Sequence, residues 1–437
     1  MRRGFRQRLC AGGLVLVTGL ALAGCGSDPI SVRVLESDDP FTLGDGSGSA
    51  ELLALDPATG ETLWSIPVPE PDTYTAGSGP AVLAGDRVVL ATEWPSGMVA
   101  VGLADGKPLW QAEVAGSVRA IGRAGSLTML DVASSGSDVS WLYGFDDAAG
   151  LVAWEVRHDP ETGPAAIAPD LVFLVTGEPR RVEARRPSDG SMAWSEDRAG
   201  GYWVWSDGER VYAFGDAGEV VALDRETGGV RWEQPALQPE RLVLGAGYVV
   251  GWRDLGLRDR TLVAAAAAET GEMLWSHTLN GTVKAEVVGD TVILTQRRDH
   301  LERLIALNAG TGHRLWTRAC ECETAACRCS VAGAAGGVVF VGDGDRLVAL
   351  DLATGAEAWS VTLQDEVGRA LVAEGRVFVG TTTGVASTEN AGTITALDPA
   401  DGSIFWQRDL PLGVPYRPVL VGSQLLVVAH NPTPTEI

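Results

Sequence analysis

Lysine is nearly missing from this 437-residue chain: Lys107 and Lys284 stand alone beside 32 arginines. Basic residues of both kinds number 34 against 57 Asp and Glu, a net charge of −23. Nucleic-acid binding needs a basic surface, so it is excluded as a general function. The surface instead repels other copies of itself and other anions. Histidine is equally scarce, and His158, His277, His300, His313 and His430 have no metal-ligand spacing. No nucleophile stands with a base at a motif spacing. The one long apolar run, Ala11–Leu22, is too short to span a bilayer. After residue 30 no stretch keeps a helical period. With 45% hydrophobic and 21% charged residues, wholesale disorder is excluded too.

The first residues read as an export address. Arg2, Arg3, Arg6 and Arg8 precede the apolar run, the order of a secretory signal peptide. The run ends in Leu22-Ala23-Gly24-Cys25, which resembles a bacterial lipobox. That resemblance implies removal of residues 1–24 and addition of a diacylglycerol to Cys25, with palmitate-type acyl chains holding the protein on a membrane without crossing it. The mature chain would carry a charge of −27. Residues 25–49, rich in Gly, Ser and Asp with a brief apolar stretch at Ile30–Leu35, are expected to form a flexible tether. Residues 50–437 form the folded domain.

That domain repeats itself. A Gly followed four residues later by Trp recurs at near-even spacing in nine copies, with the tryptophans at Trp64, Trp110, Trp154, Trp194, Trp232, Trp275, Trp316, Trp359 and Trp406. Their spacings run from 38 to 47 residues, the period of a repeat architecture. The fullest copies read Ala54-Leu55-Asp56-Pro57-Ala58-Thr59-Gly60-Glu61-Thr62-Leu63-Trp64 and Ala396-Leu397-Asp398-Pro399-Ala400-Asp401-Gly402. The Asp can accept backbone N–H groups in an Asx-type turn, and the Gly can take a left-handed conformation without steric cost. The Trp offers a large apolar face and one N–H donor. Between motifs lie short strand-like runs such as Arg87–Leu90, Val172–Val175, Val292–Leu294 and Val377–Val379. Four short strands per repeat make a propeller blade.

The A-x-D-x-x-T-G-x-x-x-W pattern resembles the tryptophan-docking repeat of the pyrroloquinoline quinone (PQQ)-type β-propellers. The resemblance implies an all-β, PQQ-like β-propeller of four-stranded antiparallel blades with the Trp packed between blades. The family norm is eight blades, and eight is the expectation here, with nine, the literal motif count, as the alternative. Strands near Tyr416–Leu420 and Gln424–Val428 would complete the N-terminal blade and close the ring. Gly102, Arg186, Ala267 and Asn308 replace the motif Asp, so those turns are expected to be looser. The family's dehydrogenases hold their quinone against two adjacent cysteines beside calcium. This chain has no adjacent cysteines and no haem-attaching C-x-x-C-H. The expectation is therefore the non-catalytic branch, a surface lipoprotein of BamB-like architecture: no enzyme, no cofactor, no metal. It would act as a monomeric scaffold on the extracytoplasmic face of the cell membrane, binding a protein or peptide partner of the envelope. A PQQ-dependent dehydrogenase or a small-ligand sensor is the alternative.

Two further clusters stand out. Cys320, Cys322, Cys327 and Cys329 form C-x-C-x4-C-x-C. In an exported chain, an antiparallel hairpin would pair 320 with 329 and 322 with 327 as disulfides on one face. A four-thiolate site for zinc or copper is the rival. Aligning the blades also brings Arg119, Trp203, Arg241, Lys284, Arg369 and Arg417 to one recurring point of the innermost strand, with Pro80 and Pro164 in two others. Those cations would ring one mouth of the axial channel and attract an anionic ligand or acidic segment. An error of one residue would turn any of them to the other face.

Overall fold

The computed structural model describes residues 30–34 and 50–429, apart from 72–80, 95, 135–138, 160, 198, 200, 216, 246, 257–258, 299–300, 321–328, 383–391, 411 and 414–416. Every regular element among the described residues is a strand. The strands form nine antiparallel sheets. Blades 1 to 8 occupy residues 81–114, 116–158, 166–196, 204–234, 241–280, 282–319, 329–362 and 366–410. Blade 9 joins the two ends of the chain: Val419–Val421 and Gln424–Ala429 supply its inner strands, Ala50–Leu55 and Thr62–Val68 its outer ones. The count is nine, as the motif gives literally, and not the eight of the family norm.

The closure is visible in every junction. Each motif Trp donates its indole N–H to a backbone carbonyl in the next repeat turn, at 2.7–3.1 Å. The acceptor always lies three residues before the motif Gly: Leu103, Asp147, Pro187, Arg225, Ala268, Ala309, Leu352 and Pro399. Trp406 of blade 8 bonds Pro57 of blade 9, and Trp64 of blade 9 bonds Leu103 of blade 1. Nine apolar clusters fill the nine junctions, each built from two neighbouring blades.

Small residues make room for the indole. The residue paired with each Trp on the third strand is Ala in eight blades and Gly144 in blade 2. The motif glycines all take positive φ, from 64° to 74°, as the closing turn requires, and the indole of the preceding blade lies against them. Turns without the motif Asp keep the same backbone hydrogen bond as the others, for example Gly106 N–H to Gly102 O at 2.9 Å. The expected loosening is absent, and in two of the four turns the cap moves. Asp105 and Asp189, one residue before the Gly, accept the N–H groups of Lys107 and Ser191, while Asn308 accepts that of Thr311.

The antiparallel order gives the propeller two ends. Innermost strands begin, and outermost strands finish, at what we call the entry end; the repeat turns lie at the motif end. The expected tether is partly structured. Ile30–Val34 adds a strand to the outer edge of blade 1, pairing Ile30 with Val114 and Val34 with Trp110. Five residues of strand chemistry on an open outer edge explain the difference, since an unpaired edge offers free N–H and C=O groups.

Candidate functional site: the axial channel

The register leads from each Trp to one residue of the channel wall. Trp232 pairs with Ala222, Ala222 with Tyr212, and Tyr212 with Trp205. Tracing the other blades in the same way gives Val82, Gly122, Ala166, Val243, Glu286, Gly333, Leu371 and Val419. The large second-strand residues, among them Phe173, Tyr212, Phe340 and Phe378, fill the blades behind this wall and hold it in place. A cavity of about 880 Å³ opens on the inner strands of blades 1 to 5 and 9. Its lining is mostly apolar, including Leu83, Ile121, Trp205, Leu242 and Val419, with Arg123 and Ser206 as polar members.

Two residues before the wall, toward the entry end, stand Trp203, Arg241, Lys284, Arg369 and Arg417, all solvent-exposed. These five share the offset from the wall that the sequence alignment gives them; Arg241 and Lys284 pair with Trp252 and Thr295, while Arg369 falls in a register irregularity between Val367 and Ala370. Trp203 stacks on Trp205, with ring centroids 6.2 Å apart and planes at 19°. Burial raises the Glu286 carboxyl above its ordinary value, against the pull of Arg369 and Lys284. Its side chain keeps contact with solvent while the surrounding strands crowd it. Pro80 lies outside the described residues, and Pro164 lines the cavity.

Arg119 departs from this set. It stands three residues before Gly122, so Ala120, opposite Asp131, takes the equivalent position, and Arg119 falls in the register shift between Asp131 and Val132. The Arg119 guanidinium turns into the blade, donating to Thr162 O at 2.6 Å and to both Asp131 carboxylate oxygens at 2.9 and 3.1 Å. His158 Nε2 lies 3.0 Å from Asp131 Oδ1, and Ala165 N–H donates to Oδ2 at 2.7 Å. Asp131 is fully buried. Burial acts to raise its carboxyl, but His158 and Arg119 outweigh it and hold it below the usual carboxylate range. This cluster ties blade 2 to the connection leading into blade 3. Residues 119, 131, 158 and 165 show no common spacing, so only the folded sheet reveals it.

Cys320 and Cys329 are joined as a disulfide with Cα atoms 6.0 Å apart. Their N–H groups bond Glu302, Cys320 to its carbonyl at 3.2 Å and Cys329 to its carboxylate at 2.7 Å. Asp343 lies close enough that, with both sulfurs, three ligand atoms fall within 4.8 Å of one another. Sulfurs shared in a disulfide offer no thiolate, so this grouping does not hold a metal in the oxidised form. Cys322, Cys327 and the lipobox Cys25 lie outside the described residues.

Known proteins place the architecture. The sequence model of the family described as outer membrane protein assembly factor BamB matches residues 30–155, 138–251, 243–332 and 324–431. The protein of that name from Nitrosomonas eutropha is 30% identical over 164 residues, covering 37% of this chain and 39% of the relative. The one from Yersinia pestis is 24% identical over 270 residues, covering 56% and 65%. The chain thus spans from two fifths to two thirds of the length of these relatives. Among solved structures, BamB from Moraxella catarrhalis is similar at a TM-score of 0.47 and 18% identity, over 69% of this chain and 92% of that one. The dihydro-haem d1 dehydrogenase NirN is similar at a TM-score of 0.49 and 12% identity, over 87% and 78%.

Proposed function

The chain belongs to the outer membrane protein assembly factor BamB family, and from that premise we propose a lipid-anchored, extracytoplasmic scaffold without catalytic activity. It binds protein or peptide partners at the cell envelope. The observation that carries this reading is the family match running from residue 30 to 431, across all nine blades. The relatives are named for assembly of outer membrane proteins, so a component of an envelope assembly machinery is the partner class we propose. Cys25 is the lipidated residue. The contact region is the entry mouth of the channel, where Arg241, Lys284, Arg369 and Arg417 attract an anionic segment and Trp203 offers an aromatic face.

The test is capture of the native lipoprotein from membranes, comparing the wild type with Lys284→Glu/Arg369→Glu. Partner recovery should fall in the double reversal and in wild type at 1 M salt, where the Debye length is about 3 Å. The melting temperature should stay nearly unchanged. Equal recovery would remove the cationic mouth from the function. Saturable binding of pyrroloquinoline quinone to the purified protein in calcium buffer would favour a quinoprotein and overturn the scaffold reading.

A further inference from the structure

We infer that the lipid anchor holds the propeller with its entry end toward the membrane and its motif end away. The inference rests on the lipidation of Cys25 proposed above and adds an orientation to it. Its foundation is the strand Ile30–Val34, which fastens the start of the folded chain to one place on the ring. Ser31 pairs with Glu113, Glu113 with Gly97, and Gly97 with Thr92. All of these lie where the innermost strand of blade 1 begins, because Leu90 next along pairs with Ala81. The chain therefore enters the propeller at the entry end, on the rim of blade 1.

Chain length then limits the geometry. Only Gly26, Ser27, Asp28 and Pro29 separate Cys25 from Ile30, five Cα steps with a reach of at most about 18 Å when fully extended. As a flexible coil the root-mean-square reach is about 12 Å. From Val114, the partner of Ile30, to Gly106 in the repeat turn the outer strand rises about 26 Å. With the motif end on the bilayer, Ile30 would stand about 26 Å above the surface, beyond the tether. The entry end meets the limit without extension.

Charge is a lesser guide, since acids such as Glu113, Asp254, Asp345 and Glu366 stand at the entry end as well, but the axial mouth and the repeat turns differ. The motif places an Asp in the repeat turn of blade after blade, as at Asp56, Asp224, Asp351 and Asp398, and first-hairpin turns add Asp86 and Asp290. Asp224 is held down to about 2, chiefly by its hydrogen bond from Arg231. An anionic bilayer repels an end so studded. The inner-strand cations at the entry end meet the opposite field. A segment entering that mouth would come from the membrane side, so the partner class narrows to the juxtamembrane part of a membrane-embedded protein.

The experiment uses the full acylated chain in phosphatidylethanolamine vesicles containing phosphatidylglycerol. A fluorophore is placed through an unnatural amino acid at Thr282, exposed at the entry end, or at Ala353, exposed in a repeat turn. Quenching by a spin-labelled headgroup lipid should be several-fold stronger at position 282. Inserting a Gly/Ser spacer of about 20 residues after Ser27 lengthens the reach to about 28 Å and should bring the two signals together while the protein stays membrane-bound. Equal quenching with the native tether, or stronger quenching at 353, overturns the orientation. The anchor itself is read separately: Cys25→Ser should release the protein, and its retention after a high-salt wash would overturn the anchor and the orientation built on it.

Discussion

Each motif Trp performs two tasks at once, and neither survives without the other. The indole face fills the junction, and its N–H satisfies a carbonyl that the next repeat turn leaves pointing outward. Trp359→Ala should therefore cost about 3–5 kcal/mol in chemical denaturation, the cavity and the orphaned Pro399 carbonyl together. A loss under about 1 kcal/mol would show that the junction does not depend on the indole. Gly402 faces the same ring from the other side, with φ of 74° and space for a Cβ only 2.6 Å from Trp359 Cε3. Both requirements were legible in the sequence, because a Gly and a Trp recurring four residues apart mark a turn and a wedge.

Asp131 shows where that legibility stops. It is an acid in the middle of an otherwise strand-like run, and nothing local announces Arg119 and His158 as its partners. Aligning the blades on their second strands sets Arg119 among the mouth cations, one residue from the position that Ala120 holds, because strand chemistry alone does not fix the register to a single residue. The buried carboxylate predicts a pH effect with a definite sign. Its folded pKa is depressed, so its contribution is complete above about pH 4, the unfolded value, and disappears as the pH falls through the lower folded one. Asp131→Asn should cost about 3–5 kcal/mol at neutral pH, since Arg119 loses its buried partner. The variant should also show a flatter acid limb in a plot of melting temperature against pH. An acid limb as steep as in wild type would show that other carboxylates govern acid unfolding.

At the scale of elements, the repeat turn is tolerant in sequence and strict in backbone. Four of nine copies lack the Asp, yet all nine make the hydrogen bond from the motif Gly N–H to the carbonyl four residues earlier. Propensity alone suggests looser turns; the packed indole on one side and, in two of the four, a displaced cap on the other restore the geometry. The connection into blade 7 is fixed differently, by the disulfide closing Cys320 to Cys329. Cross-links of short loops contribute about 2–3 kcal/mol through the unfolded chain. Cys320→Ser with Cys329→Ser should lower the melting temperature by that equivalent, with at most a small rise in the denaturant m-value as the unfolded chain expands. Unchanged stability would mean that packing of the neighbouring strands already restrains this connection.

Across the whole molecule, the blade count depended on a fact that no single repeat contains. Among the described residues, the first motif has no inner strands before it, and the last strands have no motif after them. Joining them makes the ninth blade, with Glu51 paired to Ala429 and Leu55 to Leu425 across nearly the full length of the chain. That pairing was legible as two orphan halves; the number nine was settled by the unbroken series of indole bonds around the ring. The closure also concentrates a risk at one place. Without residues 419–429, Ala50–Leu55 would present an unpaired edge, and the now fully buried Leu52 and Leu55 would lose their cover. A chain ending at residue 418 should therefore accumulate as aggregate, or melt without a cooperative transition, because blades 8 and 1 lose the junctions that Trp64 and Trp406 close. A chain that joins residue 429 to residue 50 by a short linker and opens between blades 4 and 5 keeps every strand pair of the nine blades and gives up only the edge strand Ile30–Val34. It should remain soluble and folded, with its lowest-temperature unfolding at the opened junction near Trp232. Cooperative melting of the truncated chain at the full-length temperature would show that eight blades hold the ring closed without the ninth.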